Sequence, residues 1–440
     1  MAVMTENDVD SAVAGARQAW LAWRHTSAAE RGAALRDAAA SLRAGAATLA
    51  EIHEQDTGRP ADEAVESVFA GAGTLEQYAE LGPLHRGRSL HGAWSATDLM
   101  VPEPRGVVVA LTPWNDPVAV ACGLVGAALV TGNSVVHKPS ERSPRVGVRL
   151  GELLAPAFPD GVLRTVSGDG STGARLASHP DVDVIAHVGS TATGRSIASA
   201  AARTGAKALL ENGGNDPLLV DSSVDPAWAA RQAAVGAFTN AGQICVSVER
   251  IYVHEGIADE FLAALTAEAR RWVAAPARTG EHRLPPLVDE AHREKVHGHV
   301  RQALAAGASV LTGGEAGPGS WYPATVLAGC AEDMAVMAEE TFGPVAPVRV
   351  VPDFAAGLAA AAQGDYGLAA TVLTADMAHA QEAWRTLPVG TVKVNDVFGG
   401  APGGAAQPRG MSGTGYGFGP ELLDELTTTK VVHLTDPGRL

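Results

Sequence analysis

Between Gly106 and Gly214, short runs rich in β-branched and apolar residues alternate with segments of about ten residues at helical spacing. "GVVVALTPWN", "NSVVHKPS", "GVLRTVSG", "VDVIAHVGS" and "ALLENGG" read as strands, and a segment from Pro144 to Leu154, "TGARLASH" and "ATGRSIASAAA" as the helices between them. Strands this apolar are covered on both faces, so the pattern predicts a mostly parallel, doubly wound α/β sheet. Ligands of such a sheet gather at the carboxyl ends of its strands. A second series starts at "NDPLLVDSSVD". It runs through the helix "DPAWAARQAAVGAF", the strand "ERIYVHE" and the helix "GIADEFLAALTAEARRWV" to strands near "ASVLTGG", "APVRVV" and "TVKVND".

Two series need two cores, and 440 residues suffice for both. Before them, Asp8 to Glu80 reads as three or four Ala-rich amphipathic helices broken at "TGRP", and "LGPLHRGRSLHGAWSATDLMVPEPRG" as a hairpin or linker. "GGAPGGAAQPRGMSGTGYGFGP" reads as a loop. With 33 Lys and Arg against 49 Asp and Glu, the net charge of −16 disfavours nucleic acid and anionic membrane surfaces as partners. The sequence contains no apolar run long enough to span a bilayer, and "MAVMTENDVD" lacks the basic and apolar regions of a secretory signal, so the expected location is cytoplasmic. Cys122, Cys245 and Cys330 are odd in number and widely spaced, which suggests neither a disulfide framework nor a zinc site, and no metal is expected.

Several strand ends carry chemistry. "SGDGSTGARL" places G-x-G-x-x-G at Gly168, Gly170 and Gly173 between a strand and a helix, the context a phosphate-cradling turn requires, although such turns are frequent in α/β proteins. "GSTATG", from Gly189 to Gly194, is a second turn of this kind. Lys138 and Glu141 of "HKPSE" could hold two ribose hydroxyls, or be an ordinary solvated pair. Cys245, in "FTNAGQICVSVER", has apolar neighbours, and a lone cysteine in such company is more often packing than chemistry. Asn115 in "TPWNDP" and Glu211 in "ENGG" alter that balance. A thiol, an amide donor and a carboxylate suffice for acyl chemistry on sulfur.

Assembled in order, "PRGVVVALTPWN", "TGNSVVHKPSE", "HPDVDVIAHVGSTATGR", "ENGGNDPLLV", "FTNAGQICVSVER", "EETFGPV" and "TVKVND" resemble the motifs of the NAD(P)-dependent aldehyde dehydrogenase superfamily. The resemblance covers nearly the whole chain from Asp8. It implies an α/β fold of two doubly wound parallel-sheet domains with a small bridging β-hairpin. Residues 1–83 and 103–213 would form the NAD-binding domain, 214–426 the catalytic domain, and 84–102 with 427–440 an oligomerisation element of a homodimer or homotetramer. By the same resemblance Cys245 is the nucleophile, Asn115 the side-chain half of an oxyanion hole and Glu211 the general base. Lys138 and Glu141 contact the adenine ribose, Ser190 the pyrophosphate, and Glu340 with Phe342 the nicotinamide ribose. Thr112, Trp114, Ser140, Gly170, Gly173, Gly189 and Gly213 fall in stretches that line the cofactor, NAD by virtue of Glu141, with NADP the alternative.

Four departures qualify the resemblance. Asn212 stands where the family has an apolar residue, and Leu124 where many members have a lysine that relays the base's proton; together they motivate an alternative reading as a catalytically impaired NAD-binding or assembly protein. Asp116 and Thr239 replace residues that are often aromatic in the aldehyde tunnel, where Ile244 and Val246 flank the thiol. Rings lost and a carboxylate gained imply a small polar aldehyde, and an amine on it would pair with Asp116.

Overall fold

The computed structural model describes residues 6–274, 280–400 and 404–436. Four helices open the chain, Glu6–Trp23, Ala28–Ala44, Ala46–Thr57 and Ala61–Leu81. The second is entered through a capping box, in which Ser27 takes the amide of Glu30 while the Glu30 carboxylate takes that of Ser27. Pro60 ends the break at "TGRP" and immediately precedes the fourth helix.

The first sheet runs in the order Gly413–Thr414, Lys207–Glu211, Val184–Val188, Val107–Thr112, Ser134–Pro139, Leu163–Thr165, with every pairing parallel except the first. Its central strand shows why the runs are uniformly apolar. Val108 and Ala110 point into a core built with Leu35, Leu42 and Val68, whereas Val107, Val109 and Leu111 point into a second core with Val13, Leu176 and Ile197. The helices Pro144–Leu154, Gly170–Ala177 and Thr191–Thr204 lie where the sequence places them. Helix Pro117–Val130 was not distinguishable by periodicity. It is apolar on nearly all sides because it is packed between the sheet and helix Ala61–Leu81.

The second sheet is ordered Ser309–Thr312, Thr325–Ala328, Val345–Val351, Val248–His254, Asp216–Val220, Ala369–Leu373, Thr391–Val394, and only its first pair is antiparallel. Arg88–Leu90, Ala96–Pro104 and Thr427–Thr435 form a third, antiparallel sheet, which joins the hairpin segment to the C-terminal strand.

The chain crosses back between the sheets near its C-terminal end. Residues 412–426 do not stay with the second sheet. Gly413–Thr414 pairs with Glu211 and Leu210 at the edge of the first sheet, and Leu422, Leu423 and Leu426 enter its core. The return was hidden in a Gly-rich run without periodicity. Gly413 has φ +126°, and a Cβ there would lie 1.9 Å from the Leu210 carbonyl, so only glycine permits so close an approach.

Candidate active site

Five parallel strands of the first sheet end on one rim, and many of the residues singled out by the sequence lie along it. Strand Val107–Thr112 leads to Trp114, Asn115 and Asp116; strand Ser134–Pro139 carries Lys138 and leads to Ser140 and Glu141; strand Val184–Val188 leads to Gly189 and Ser190; and strand Lys207–Glu211 ends on the carboxylate and passes to Gly213. Thr112 is buried, and its hydroxyl is 2.9 Å from His137 Nε2. The chain reverses its direction of sheet growth between strands Val107–Thr112 and Val184–Val188, which opens a crevice at this rim.

The Lys138 ammonium is buried. It donates to Glu141 Oε2 at 3.0 Å and to the Pro139 carbonyl at 3.1 Å. Burial raises the Glu141 carboxyl, but its own backbone amide and the Lys138 ammonium outweigh that and hold it below its ordinary value. Gly170 faces open space, and a Cβ at Gly173 would lie 3.8 Å from the Lys138 stem. The phosphate reading of G-x-G-x-x-G fails on one point: the Asp169 carboxylate accepts the amides of Ser171 and Thr172, so the helix N-terminus is already capped by an anion of the protein. The second turn is different. Ser190, exposed, caps helix Thr191–Thr204 through the Thr193 amide, with Gly189 half-buried beside it.

The loop before Cys245 is a left-handed turn. Asn240, Ala241 and Gly242 have φ of 51°, 55° and 70°, and a Cβ at Gly242 would meet the Gly343 carbonyl at 2.2 Å. Non-glycine residues rarely adopt this conformation, so the surroundings must hold it. Gln243 does so. Its side chain donates to the carbonyls of Asn240 and Pro286 and accepts the Val288 amide, while its own carbonyl accepts Asn115 Nδ2 at 3.0 Å. The turn presents Ile244, Cys245 and Val246 half-exposed between buried neighbours, opposite Trp114, Asn115 and Asp116, which are also half-exposed. Cys122 and Cys330 are buried. Thr239, half-buried, bonds back to the Val235 carbonyl at 2.7 Å.

Cys245 Sγ lies 3.9 Å from Glu211 Oε1. Burial, followed by the carboxylates of Glu211, Asp216, Glu340 and Asp116, pushes the thiol well above its usual pKa. Burial also raises the Glu211 carboxyl, which the Cys245 contact offsets only in part. Leu124 is buried. Asn212 turns away from the site. Its Nδ2 donates to the Met411 carbonyl at 2.9 Å and its Oδ1 faces Gly194, so this amide ties the returning C-terminal chain to the end of the Glu211 strand. The other side of the Glu211 carboxylate is closed by Gly417, where a Cβ would sit 2.4 Å from Oε2. Gly417→Ala is therefore expected to displace the Glu211 carboxylate and, where Glu211 acts as the resemblance implies, to lower steady-state turnover about tenfold with the pre-steady-state burst of reduced cofactor retained in stopped flow.

Across the cleft, Glu340 accepts the Gly214 amide at 3.1 Å, and a Cβ at Gly213 would strike its carboxylate at 1.9 Å. Burial raises the Glu340 carboxyl to about 7 against the opposing Lys295 ammonium and Gly214 amide. Phe342, at φ +57°, is held by Glu249, whose two carboxylate oxygens accept the amides of Thr341 and Phe342 at 2.7 and 2.8 Å. Its ring meets Trp114 edge-on at 5.8 Å, and His292 completes an aromatic trio while bonding the Phe342 carbonyl at 2.7 Å.

The sequence profile of the aldehyde dehydrogenase family matches residues 1–432. The chain belongs to the aldehyde dehydrogenase family. It is 35% identical to the mitochondrial aldehyde dehydrogenase of Leishmania tarentolae over 435 residues, covering 97% of this chain and 87% of that protein. Among solved structures, the betaine aldehyde dehydrogenase of Staphylococcus aureus in complex with NAD+ superposes with a TM-score of 0.96 at 29% identity, over 100% of this chain and 90% of that one. The NAD-dependent aldehyde dehydrogenase of Sinorhizobium meliloti does so with 0.95 at 34%, over 100% and 88%.

Sequence reading of this aldehyde dehydrogenase missed Gln243, Glu249, His292, Lys295 and Gly417. Gln243 and Glu249 lie near Cys245 in the quoted loop, where polar residues among apolar neighbours were the available signal, and both are buried. The other three come from distant segments and only the fold brings them in. Among the described residues no helix is long and apolar enough to cross a membrane.

Proposed function

We propose that this enzyme uses NAD to oxidise a small, polar aldehyde to its carboxylate, with Cys245 as nucleophile, Asn115 as oxyanion donor and Glu211 as general base. The observation that carries the reading is the Cys245 sulfur 3.9 Å from Glu211 Oε1, in a half-buried residue on a loop that Asn115 bonds. The crevice fits a dinucleotide at both ends. Open space over Gly170 and the Lys138–Glu141 pair suit an adenine ribose, and an ionised Glu141 would repel a 2′-phosphate. Ser140 and Gly173 border that pair, and Gly189 with the exposed Ser190 offers a hydroxyl for the pyrophosphate. Gly213 leaves room for the Glu340 carboxylate, which with Phe342, Trp114 and Thr112 suits the nicotinamide end. The NAD complex of the Staphylococcus aureus relative supports the same choice of cofactor.

The thiolate of Cys245 adds to the aldehyde carbon to give a thiohemiacetal. Its oxyanion is met by the second Asn115 Nδ2 hydrogen and the Cys245 amide, donors fixed before the charge develops. Bound NAD supplies the hydride acceptor. Glu211 takes a proton from water, whose oxygen attacks the resulting thioester, and the carboxylate departs as the thiol re-forms. Thr239, Ile244, Val246 and Asp116 shape the substrate pocket. A cationic aldehyde is the named substrate of the betaine aldehyde dehydrogenase relative, which supports a cation-tolerant pocket around Asp116 here.

The third sheet exposes Leu90 and Val431 on one face and Val101 and Leu434 on the other, with Trp94 exposed in its hairpin turn, and this apolar surface suits a homodimer or homotetramer. A nucleophilic thiol must stay reduced, which suits the cytoplasm. The test is a panel of small aldehydes with each cofactor, read at the nicotinamide absorbance. NAD is expected to give a kcat/KM at least about tenfold above NADP, and Glu141→Gln to narrow that gap. A preference for NADP would overturn the cofactor assignment.

A further inference from the structure

Asp116 follows the oxyanion donor Asn115 directly, and its surroundings come from a helix to which the sequence assigned no chemistry. Ser67, in helix Ala61–Leu81, donates its hydroxyl to Asp116 Oδ1. Arg59, just before that helix, brings Nη1 to 4.0 Å of the same oxygen. Both neighbours converge on Oδ1. Among the described residues no side chain or amide donates to Oδ2, and the Asp116 side chain remains 38% exposed.

Arg59 is held by burial rather than by a full set of partners. Its side chain is 19% exposed, and its Nε is buried without a hydrogen-bond acceptor. The neighbouring Arg283 is committed elsewhere, to Asp62 at 2.6 Å and Glu63 at 3.3 Å. A guanidinium kept this dry beside a half-exposed carboxylate damps that carboxylate's field at the pocket.

We propose that Arg59 and Ser67 are specificity-determining positioning residues: by occupying Oδ1 of Asp116 they leave Oδ2 to accept a donor on the aldehyde's chain, and the charge of Arg59 sets how strongly an ammonium is preferred to a hydroxyl. The substrate class is then a short aldehyde with an amine or hydroxyl on its chain. The inference rests on the reading of Asp116 as a pocket residue, and its test separates the two.

The full-length enzyme with NAD is assayed on propanal bearing a terminal ammonium, hydroxyl or methyl group, and the ammonium-to-methyl ratio of kcat/KM is taken within each variant, which cancels differences in active fraction. Asp116→Asn should lower the ratio about tenfold and Arg59→Gln should raise it about tenfold, with Arg59→Lys close to the wild type. The double variant should match Asp116→Asn alone. An unchanged ratio in Asp116→Asn removes the underlying reading of Asp116. A fall in Asp116→Asn with no rise in Arg59→Gln overturns the role of Arg59 alone. If Arg59→Gln does not fold, Ser67→Ala serves: a rise of about two- to threefold supports the proposal, and no change or a fall overturns it.

Discussion

Cys245→Ser should lose aldehyde oxidation by a factor on the order of 10⁴ or more in kcat/KM, because a hydroxyl in this pocket is far from ionised and a missing nucleophile leaves only binding and oxyanion stabilisation. The burst of NADH on mixing enzyme, NAD and aldehyde should vanish with it. Cys122→Ser and Cys330→Ser make the comparison specific, since both thiols are buried in packed cores. A burst that survived in Cys245→Ser would remove the thiol from the reaction. In the wild type the carboxylates of Glu211, Asp216, Glu340 and Asp116 oppose ionisation of the thiol, in addition to burial. The acylation step should therefore accelerate as pH rises.

Glu211→Gln is the second large effect, and it should strike a different step. Hydride transfer needs no base once the thiolate has added, so the burst should remain while steady-state turnover falls by about 10² to 10⁴. The acylated enzyme should then be detectable by mass spectrometry as a thioester on Cys245. The sign with pH follows from burial, which raises the Glu211 carboxyl and so favours its neutral form. The base works ionised. Deacylation is thus fully present above the raised pKa and is lost as pH falls through it, and this dependence should disappear in Glu211→Gln. Loss of the burst together with turnover would assign Glu211 to acylation instead.

The parallel strands were legible because burial on both faces writes itself as unbroken Val, Ile and Leu, as at Val107 to Leu111. The rim residues Asn115, Glu141, Ser190 and Glu211 were legible because strand-to-helix turns punctuate the sequence. Helix Pro117–Val130 was not distinguishable by the same logic, since a helix buried all round has no face to alternate. Asn212 was read as a threat to the base, but its orientation depends on Met411, almost two hundred residues later, and no local pattern reports such a contact. Asp116 was visible as a carboxylate, while Arg59 and Ser67, which condition it, lie in another helix's approach and first turns. Distance along the chain, more than chemistry, separated what could be read from what could not.

The last stretch of chain stitches three sheets in succession. Arg409–Gly410 pairs with Tyr366–Gly367, Gly413–Thr414 borders Glu211, and Thr427–Thr435 closes the outer sheet against Ala96–Pro104. A fragment that stops short of this tail lacks the strand that borders Glu211, however well its Rossmann-like half folds. Conversely, any strain exerted on the outer ribbon, by assembly or by crowding, has a short path along the chain to Gly413, which pairs with Glu211.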